Sequence, residues 1–375
     1  MSEVSLYIHI PFCRNKCIYC NFYSEYYKES AVSYYIPALL KQIAEIKTRF
    51  KSIYVGGGTP TVLPAKYLYK LLRSLKPLMS DCCEFTVEAN PESLDDEKLS
   101  ILKYEGVNRL SIGVQSFNIN NLKKMGRIHD VLQAENAVTK AKEKGFNNIN
   151  IDLIFGVWGE TMDEWTRDLE CAVKLPVTHL SCYSMICEKN TPLMRLVENG
   201  SIRLSEDDLP AEMYRFAIDY LPEQGFCHYE VSNFAKDNYV CGHNMHYWEN
   251  NSYMAIGPSS VSYLNGVRQA NISDVFEYIE RVNKGASTVL YSERLESLQK
   301  AKETAALKIR TASGIDWMWF ERKTGFEFLN IEKNAISELE GDGLIKYNKQ
   351  DGEIKGVHLT KKGFMFCDTV SSALL

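Results

Sequence analysis

The sequence predicts an α/β protein in which a parallel sheet wound with helices is followed by a small α+β region and a C-terminal winged-helix-like domain. Strand and helix signals alternate through residues 1–225 in at least six β/α units. This pattern is typical of a parallel sheet that is either open or curled into a full or partial barrel. The alternation stops near residue 226, and from about residue 291 helices lead into a hairpin signal. We therefore predict domains at 1–225, 226–290 and 291–375.

Each β/α unit consists of an apolar strand-like run followed by a stretch with helical periodicity. Thr161 and Glu164 have the spacing of a capping box, and acidic residues follow Ser93, as the first turn of a helix prefers. The predicted strands are 6–10, 52–55, 84–88, 109–114, 148–154 and 179–185, and the first predicted helices are 31–48, 63–75 and one beginning at Ser93.

Residues that could bind a ligand or take part in a reaction lie at the C-terminal ends of these strands. Parallel α/β folds collect their chemistry at that end of the sheet, so the set is expected to converge on one site. It comprises the cysteine loop, 56–60, Glu88, Asn90, Gln115, 152–156 and 183–188.

Three cysteines, Cys13, Cys17 and Cys20, directly follow the first strand. A [4Fe–4S] cluster usually takes four protein thiolates, so three would leave one iron with an open coordination position. Structural zinc needs a second ligand pair at a fixed spacing, and a redox Cys-x-x-Cys would leave Cys13 without a role. A disulfide framework needs an oxidising compartment. The spacing favours the iron–sulfur interpretation.

Composition narrows the class of function. The chain has 375 residues, of which 45% are hydrophobic and 24% charged, as in ordinary globular proteins. A net charge of −5 and a pI near 5.9 give no basic footprint for nucleic acid. No leader precedes the first strand and no apolar run reaches membrane-spanning length, so we expect a cytoplasmic protein. An odd count of 11 cysteines is consistent with reduced thiols in that compartment.

The glycine run Gly56-Gly57-Gly58 follows the second strand. It lacks the lysine of a P-loop and the spacing of a dinucleotide fingerprint. Glycines at this place predict close approach of the backbone to a ligand, with N–H and C=O groups presented to it. Glu88 and Asp152 could instead form salt bridges at the strand ends. Arg127 could instead be a solvated charge in a loop.

The segment 241–248 is the densest group of ligand-type side chains in the chain. His243, Met245 and His246 are of the types that serve as axial haem ligands, and Tyr247 and Trp248 are suited to a macrocycle wall. The alternative is a core turn in which the imidazoles form hydrogen bonds and the rings pack. The residues alone favour the core turn.

The C-terminal region predicts helices at 295–309, 315–324 and 331–340, a hairpin near 344–347 and 356–360, and a last helix from Lys361. Winged-helix-like modules often bind DNA. Because the overall charge is acidic and no basic stripe is present, we expect a structural or partner-docking role instead.

A series of motifs follows one order along the chain: Tyr7-Ile-His-Ile-Pro-Phe12 before the cysteines, Gly56-Gly-Gly-Thr-Pro60, Glu88-x-Asn-Pro91, Leu110-Ser-Ile-Gly-Val-Gln-Ser-Phe117, Gly126-Arg-x-His129, Asn150-Ile-Asp-Leu-Ile-Phe-Gly156 and His243-Asn-x-x-Tyr-Trp248. Over nearly the whole chain this resembles the radical S-adenosylmethionine (SAM) family, in the branch of oxygen-independent coproporphyrinogen oxidases and their haem-chaperone relatives. The resemblance implies a partial (β/α)6-type barrel with a [4Fe–4S] cluster and SAM.

The resemblance also implies roles for individual residues. Cys13, Cys17 and Cys20 would hold three irons, and the amino and carboxylate groups of SAM would chelate the fourth. One electron through the cluster would cleave SAM to methionine and a 5′-deoxyadenosyl radical. The positions that match SAM contacts are Tyr7, Tyr19, Gly57, Gly58, Thr59, Glu88, Gln115, Arg127 and Asp152.

Two departures separate the branches. The oxidases carry a fourth cysteine where this chain has Phe22, and a longer arm than the twelve residues before Cys13. The His-Asn-x-x-Tyr-Trp motif belongs to the haem chaperones, which makes His243 the expected haem ligand and His246 a second candidate. The favoured function is a chaperone that passes haem to acceptor proteins.

Two enzyme functions remain as alternatives. One is decarboxylation of two coproporphyrinogen III propionates to vinyls through the 5′-deoxyadenosyl radical, and the other is radical opening of the haem ring. An electron donor would be required if SAM is cleaved, and a homodimer is left open by the sequence.

Overall fold

The computed structural model describes residues 4–204 and 208–375. The chain packs into two compact units, one formed by residues up to 213 with 252–293, the other by 214–251 with 294–375. The predicted segment 226–290 is therefore divided between the units. The strand Tyr253–Ile256 explains this, because it pairs with the first strand of the chain and so belongs to the first unit. As a division into folding domains, 1–225, 226–290 and 291–375 stays a prediction.

The strands in chain order are β1 (Ser5–Ile10), β2 (Phe12–Cys13), β3 (Glu25–Tyr26), β4 (Phe50–Gly57), β5 (Met79–Ala89), β6 (Arg109–Gln115), β7 (Asn148–Phe155), β8 (His179–Ser184), β9 (Cys227–Glu230), β10 (Asn233–Ala235), β11 (Tyr253–Ile256), β12 (Val261–Leu264), β13 (Val267–Asn271), β14 (Val289–Arg294), β15 (Ile315–Asp316), β16 (Ile345–Gln350) and β17 (Glu353–Leu359).

The helices are α1 (Glu29–Glu45), α2 (Ala65–Leu75), α3 (Asp96–Tyr104), α4 (Ile119–Met125), α5 (Val131–Glu143), α6 (Met162–Lys174), α7 (Pro192–Glu198), α8 (Leu209–Glu223), α9 (Gly242–Trp248), α10 (Val275–Lys284), α11 (Ser297–Lys308), α12 (Trp317–Thr324), α13 (Phe328–Gly341), α14 (Lys361–Met365) and α15 (Cys367–Ala373).

The first unit is built on parallel strands that lie side by side in the order β1-β4-β5-β6-β7-β8. Helices separate each of these strands from the next along the chain, which confirms the predicted succession of β/α units. Beyond β1, β11 adds in parallel, and β12 and β13 follow in antiparallel order. Within the described residues no ladder joins β8 to β1, as expected of a partial barrel.

The two faces of this sheet differ in chemistry because strand side chains alternate between faces. One face is apolar and buried along every parallel strand, as in Leu6-x-Ile8-x-Ile10 and Leu110-x-Ile112-x-Val114. The other face is polar across the strands, with Tyr7, His9, Tyr54, Glu88, Ser111, Asn150, Asp152, His179 and Ser181. A sheet face of this polarity, enclosed in a barrel, is where the site is built.

Most predicted boundaries lie within a few residues of the observed ones. The predicted capping box of α6 is confirmed: the Glu164 N–H donates to the Thr161 hydroxyl, and the Thr161 N–H donates to the Glu164 carboxylate. The helix predicted to begin at Ser93 is wrong at that end. Pro91–Ser93 forms a separate 3₁₀ turn, and α3 begins after Asp95, whose carboxylate accepts the Lys98 N–H at 2.9 Å.

The second unit contains the antiparallel pair β9–β10, the short helix α9 and the C-terminal helices. The predicted hairpin is present as β16 and β17, and β15 pairs with β17 to complete a three-stranded antiparallel sheet. Three helices followed by this hairpin match the winged-helix-like prediction. No helix among the described residues of the chain is both long and apolar enough to cross a bilayer.

Candidate cluster and cofactor site

The cysteine loop is closed at its base by a two-stranded parallel pair, β2 with β3. The Glu25 N–H donates to the Pro11 carbonyl at 2.6 Å, and the Tyr27 N–H to the Cys13 carbonyl at 2.8 Å. Inside the loop the Cys20 N–H donates to the Cys17 carbonyl at 3.3 Å. The three cysteines are therefore carried on one closed loop, and their thiols are free and partly buried.

The loop is also fixed to its surroundings by backbone bonds. The Ile18 N–H donates to the Met125 carbonyl at 3.2 Å, and the Ile18 carbonyl accepts from the Leu193 N–H at 2.9 Å. The Asn15 side chain donates to the Gly126 carbonyl at 2.7 Å. The end of α4 and the start of α7 thus hold the loop on both sides.

Burial raises the pKa of the Cys13 thiol, and burial also raises that of Cys20, to about 11, with Cys17 and Cys13 among the further causes. The thiols are therefore close enough to repel one another as thiolates, and a cation among them would reverse the effect. Among the described residues no three His, Cys, Asp or Glu side chains converge on a single metal ion. A [4Fe–4S] cluster does not need that, because each thiolate binds a different iron. The donor set fits a cluster.

The glycine run is required by close packing. A Cβ on Gly57, whose φ is 111°, would lie 2.5 Å from the His9 ring, and a Cβ on Gly58 would lie 2.6 Å from the Phe12 carbonyl oxygen. The Gly58 and Thr59 N–H groups donate to the Ile10 and Phe12 carbonyls, each at 2.8 Å.

The N–H groups of the run therefore serve the protein itself. The Gly57 N–H donates to the Glu88 carboxylate at 3.0 Å. The expectation that the N–H groups of the glycine run are presented to a ligand is wrong for Gly57 and Gly58. An amino group donates hydrogen bonds, so a SAM amine at this place would need carbonyl oxygens.

Glu88 lies on the polar face between its partners. The Tyr54 hydroxyl donates to it at 2.8 Å, and a Cβ on Gly56 would meet the carboxyl group at 2.8 Å. Burial raises the pKa of Glu88 to about 7. Tyr54 was not among the predicted site residues, although it lies on β4 with the parity of this face.

Tyr7 and His9 extend this arrangement onto β1. The ring of Tyr7 stacks near that of Tyr54, with 6.2 Å between centroids. The His9 Nε2 lies 2.9 Å from the Tyr23 carbonyl oxygen, which can only accept, so Nε2 carries the proton and Nδ1 accepts from the Tyr7 hydroxyl at 3.1 Å.

Asp152 is held by a network that crosses three strands. Asn150 donates to Asp152 at 2.8 Å and to the Ser111 hydroxyl at 2.7 Å, and Ser111 lies 3.5 Å from the second carboxylate oxygen. The Asn150 carbonyl oxygen accepts from His179 at 2.6 Å and from Ser181 at 3.2 Å. Burial raises the pKa of Asp152. Its side chain is thus fixed in orientation by uncharged hydrogen-bonding partners, Ser181 among them.

Arg127 is placed against the cluster loop. Its guanidinium donates to the Cys17 sulfur at 3.5 Å, to the Asn90 side-chain oxygen at 2.7 Å and to the Gly113 carbonyl at 2.6 Å. Burial alone would lower the pKa of Arg127, but the nearby Cys17 and Tyr19 raise it overall. Asn90 appeared in the strand-end set without a role, and it is the residue that joins Arg127 to the glycine loop.

Gln115 and Tyr19 complete the predicted set in this unit. Gln115 ends β6 with a φ of 69°, a left-handed conformation that is uncommon outside glycine, and a register shift marks this end of the strand. Tyr19 packs on an apolar cluster of Leu122, Met125, Ile154 and Val157. Tyr19 is therefore fixed beside Cys17 and Cys20 by packing of its ring.

His243 and His246 lie in α9 of the second unit. They are 2% and 7% exposed, and the His243 ring meets the Tyr247 ring edge-on at 5.0 Å. The Arg310 guanidinium lies over the Trp248 ring at 5.9 Å. The structure thus brings the motif together as a packed helix, and haem ligation by His243 or His246 stays a prediction.

Comparison with known proteins gave consistent results. The profile described as the Radical SAM superfamily matches residues 7–172. The chain is 36% identical to "Heme chaperone HemW" of Lactococcus lactis subsp. lactis, over 99% of this chain and 97% of that protein. It is 35% identical to the protein of the same name from Bacillus subtilis, over 99% of each. The solved structure of coproporphyrinogen III oxidase (HemN) from Escherichia coli is similar in fold, with a TM-score of 0.85 and 21% identity over 100% of this chain and 90% of that one.

Proposed function

Because the chain belongs to the HemW family of haem chaperones within the radical SAM superfamily, we propose that it binds haem and passes it to haem-accepting proteins. A [4Fe–4S] cluster and SAM in the first unit would accompany this activity. The observation that carries the proposal is the match to HemW proteins at 35–36% identity along almost the entire chain. A match of that extent includes the second unit and its His-Asn-x-x-Tyr-Trp motif, which a shared barrel alone would not.

The geometry of the first unit supports the roles proposed for its residues. Cys13, Cys17 and Cys20 would hold the cluster, and a cluster with an open iron supplies one-electron cleavage of a carbon–sulfur bond in SAM. We propose that SAM binds between the polar face and the cysteine loop, through Tyr7, Tyr19, Gly57, Gly58, Thr59, Glu88, Gln115, Arg127 and Asp152. Glu88 and Asp152 are held rigidly by Tyr54 and Asn150, so they are suited to fix hydroxyl or amino groups of a ligand.

Haem would bind in the second unit. His243 is the proposed iron ligand, and His246 the alternative. Because both rings are nearly fully buried, haem ligation requires α9 to shift, so that a ring nitrogen becomes accessible. We further propose a cytoplasmic location and, where SAM is cleaved, an external electron donor. A homodimer stays a prediction.

The oxidase function has weaker support. The structural likeness to HemN supports the fold alone at 21% identity. In place of the fourth cysteine of the oxidases stands Phe22, which is 70% exposed and provides no metal ligand. An oxidase or ring-opening enzyme would form 5′-deoxyadenosine in a substrate-dependent burst, which a chaperone does not require.

The haem proposal is tested by titrating haem into the anaerobically reconstituted protein and following the Soret band. We expect saturable binding near one haem per chain, and His243→Gln should raise the Kd by about tenfold, since loss of a ligand costs at least ~1.4 kcal/mol. His228→Gln is the control, because it removes another enclosed imidazole of the same unit, one that stacks on Phe234 at 4.5 Å. Equal affinities in all three proteins would remove His243 from the haem site, and absence of saturable binding would favour the oxidase.

The cluster proposal is tested separately with Cys17→Ala, which should abolish the iron–sulfur absorbance and leave the far-UV circular dichroism unchanged. The substitution removes one ligand but only a small side chain from packing. Cys171→Ala is the control, because Cys171 is a free, half-buried thiol outside the loop. A full complement of iron in Cys17→Ala would refute the ligand assignment.

A further inference from the structure

A continuous hydrogen-bond chain connects two of the three cysteines of the loop. The Thr59 hydroxyl lies 3.8 Å from the Cys13 sulfur and accepts from the Asn90 amide nitrogen at 3.0 Å. The Asn90 amide oxygen accepts from Nη2 of Arg127 at 2.7 Å, and Nη1 of Arg127 donates to the Cys17 sulfur at 3.5 Å. Asn90 is the midpoint of this chain.

The direction of each hydrogen bond in this series follows from the donor at its Arg127 end. A guanidinium only donates, so the Asn90 oxygen must face Arg127 and the Asn90 nitrogen must face Thr59. The Thr59 oxygen is then an acceptor from Asn90, and its single hydrogen is available for the Cys13 sulfur. Both ends of the chain therefore present a donor to a cysteine sulfur, an arrangement that favours thiolates over thiols.

The surroundings of Arg127 point in the same direction. Its Nε is enclosed and has no hydrogen-bond partner among the described residues. The contacts made by its terminal nitrogens are to neutral oxygens of Asn90 and Gly113 and to the Cys17 sulfur. An enclosed guanidinium is costly unless anions compensate it. The Glu92 carboxylate is one nearby anion, and the contact with Cys17 places a second at the cysteine loop.

We propose that Asn90, Thr59 and Arg127 are positioning residues that hold the ligand cysteines and raise the reduction potential of the cluster. The inference rests on the proposed function, since it requires a cluster at Cys13, Cys17 and Cys20. Hydrogen bonds to the ligand sulfurs and a nearby positive charge stabilise the reduced cluster, which carries one more negative charge than the oxidised one. Asn90 acts on Cys13 through Thr59 and on Cys17 through Arg127.

The test is an EPR-monitored redox titration of the anaerobically reconstituted full chain, with dithionite as the reductant and no SAM present. Each cluster takes up one electron, and the midpoint potential is compared between variants after iron and sulfide are quantified. Thr59→Val is nearly isosteric and removes the donor to Cys13, whereas Thr59→Ser keeps the hydroxyl. Asn90→Asp keeps the acceptor for Arg127, removes the donor to Thr59 and adds a negative charge.

We expect a lower midpoint potential in Thr59→Val and in Asn90→Asp, and restoration to the wild-type value in Thr59→Ser. Asn108→Ala is the control, because Asn108 forms two bonds of 2.8 Å to the backbone at the opposite end of β5 and should leave the potential unchanged. Loss of the cluster in Asn90→Asp, with the fold and the control intact, would support the positioning role directly.

Potentials in Thr59→Val and Asn90→Asp that equal the wild-type value, with full iron content, would overturn the inference and leave the proposed function standing. A wild-type chain that takes up no cluster after reconstitution would instead refute the cluster part of the proposed function. The two failures are therefore distinguished by the iron content of the wild type.

Discussion

Gly57 illustrates how a single residue sets the geometry of the site. Its φ of 111° is accessible to few residues other than glycine, and a Cβ would enter the His9 ring at 2.5 Å. Its N–H also fixes the Glu88 carboxylate. One position therefore joins β1, β4 and β5 on the polar face, and it does so only without a side chain.

Gly57→Ala is expected to destabilise the fold by about 2–4 kcal/mol, because it combines an unfavourable φ with a steric clash. Gly285→Ala is the matched control: Gly285 has a φ of 68° in the same unit, and nothing lies within 4 Å of a Cβ there. The control should lose only about 1 kcal/mol, the cost of the conformation itself. Urea unfolding of both variants measures the difference, and equal losses would show that the His9 contact relaxes freely.

At the residue scale, the sequence was most informative where only a few residue types can perform a given chemical role. The spacing of the three cysteines identified the loop, and the strand-end rule grouped Glu88 with Asp152, which the structure places on one face of the sheet. Partners were harder to predict. Asn90 and Tyr54 form these hydrogen bonds only because the fold brings Arg127, just after α4, and Glu88, on β5, to them. Those contacts span 37 and 34 positions of sequence.

Among the elements, β6, β7 and β8 act together through side chains on the polar face. Asn150 of β7 lies opposite Ser111 of β6 and His179 of β8 in the strand register. Its amide orientation is fixed, because the oxygen accepts from His179 and Ser181 while the nitrogen donates to Asp152 and Ser111. Asp152 is therefore oriented by a residue of its own strand, whose amide is in turn fixed by the two neighbouring strands.

Asn150→Leu should weaken SAM binding by about tenfold, because Asp152 loses a donor and becomes free to turn, at a cost near 1.4 kcal/mol. Asn108→Ala is the control, since the Asn108 side chain is bonded to the backbone of Cys83 and Phe85. Calorimetric titration of SAM into the reconstituted variants gives both affinities. Wild-type affinity in Asn150→Leu would mean that Asp152 is held by other contacts or does not bind SAM.

Elements with strong local signals were predicted most accurately. The Thr161 capping box and the strand 109–114 have their cause in adjacent residues, so sequence alone located them. The helix predicted at Ser93 began late because Pro91 initiates a separate turn and Asp95 is the better cap. The choice between these caps depends on Lys98, whose ammonium donates to the Thr61 and Ser93 carbonyls, a contact between distant segments.

Over the whole molecule, the division into two units was the feature least accessible from sequence. A change of rhythm near residue 226 was visible, but the return of β11 to pair with β1 depends on contacts across about 250 positions. Net charge and composition, by contrast, are properties of the whole chain, and they reveal without any structure that basic residues are not in excess overall.

Buried titratable groups in both units predict how stability responds to pH. Burial raises the pKa of several carboxyl groups, and four of them reach about 7 (Glu88 and Glu230), about 8 (Glu160) and about 6 (Asp168). Their contribution is fully present below their ordinary pKa and is lost as pH rises through the raised values. Burial lowers the pKa of four histidines, to about 4 for His9 and His228 and below the ordinary value for His179 and His358. Their contribution is present above their ordinary pKa near 6.5 and is lost on acidification.

Between about pH 4.5 and 6.5, rising pH removes the stabilisation from the carboxyl groups and adds that from the histidines, so the two effects offset each other. Above that range only the carboxyl groups still change the free energy of unfolding. The free energy of unfolding of the cluster-free protein should therefore change little from pH 5 to 6.5 and fall by on the order of 3 kcal/mol from pH 6.5 to 8. Urea unfolding midpoints at pH 5, 6.5 and 8 measure this. Glu160→Gln should flatten the decline above pH 6.5, because Glu160 has the highest of the four raised values and ionises over the widest part of that range. An unchanged slope in this variant would show that Glu160 is already ionised in the folded protein at pH 6.5, and that its bonds to the Gly156 and Val157 N–H groups outweigh its burial.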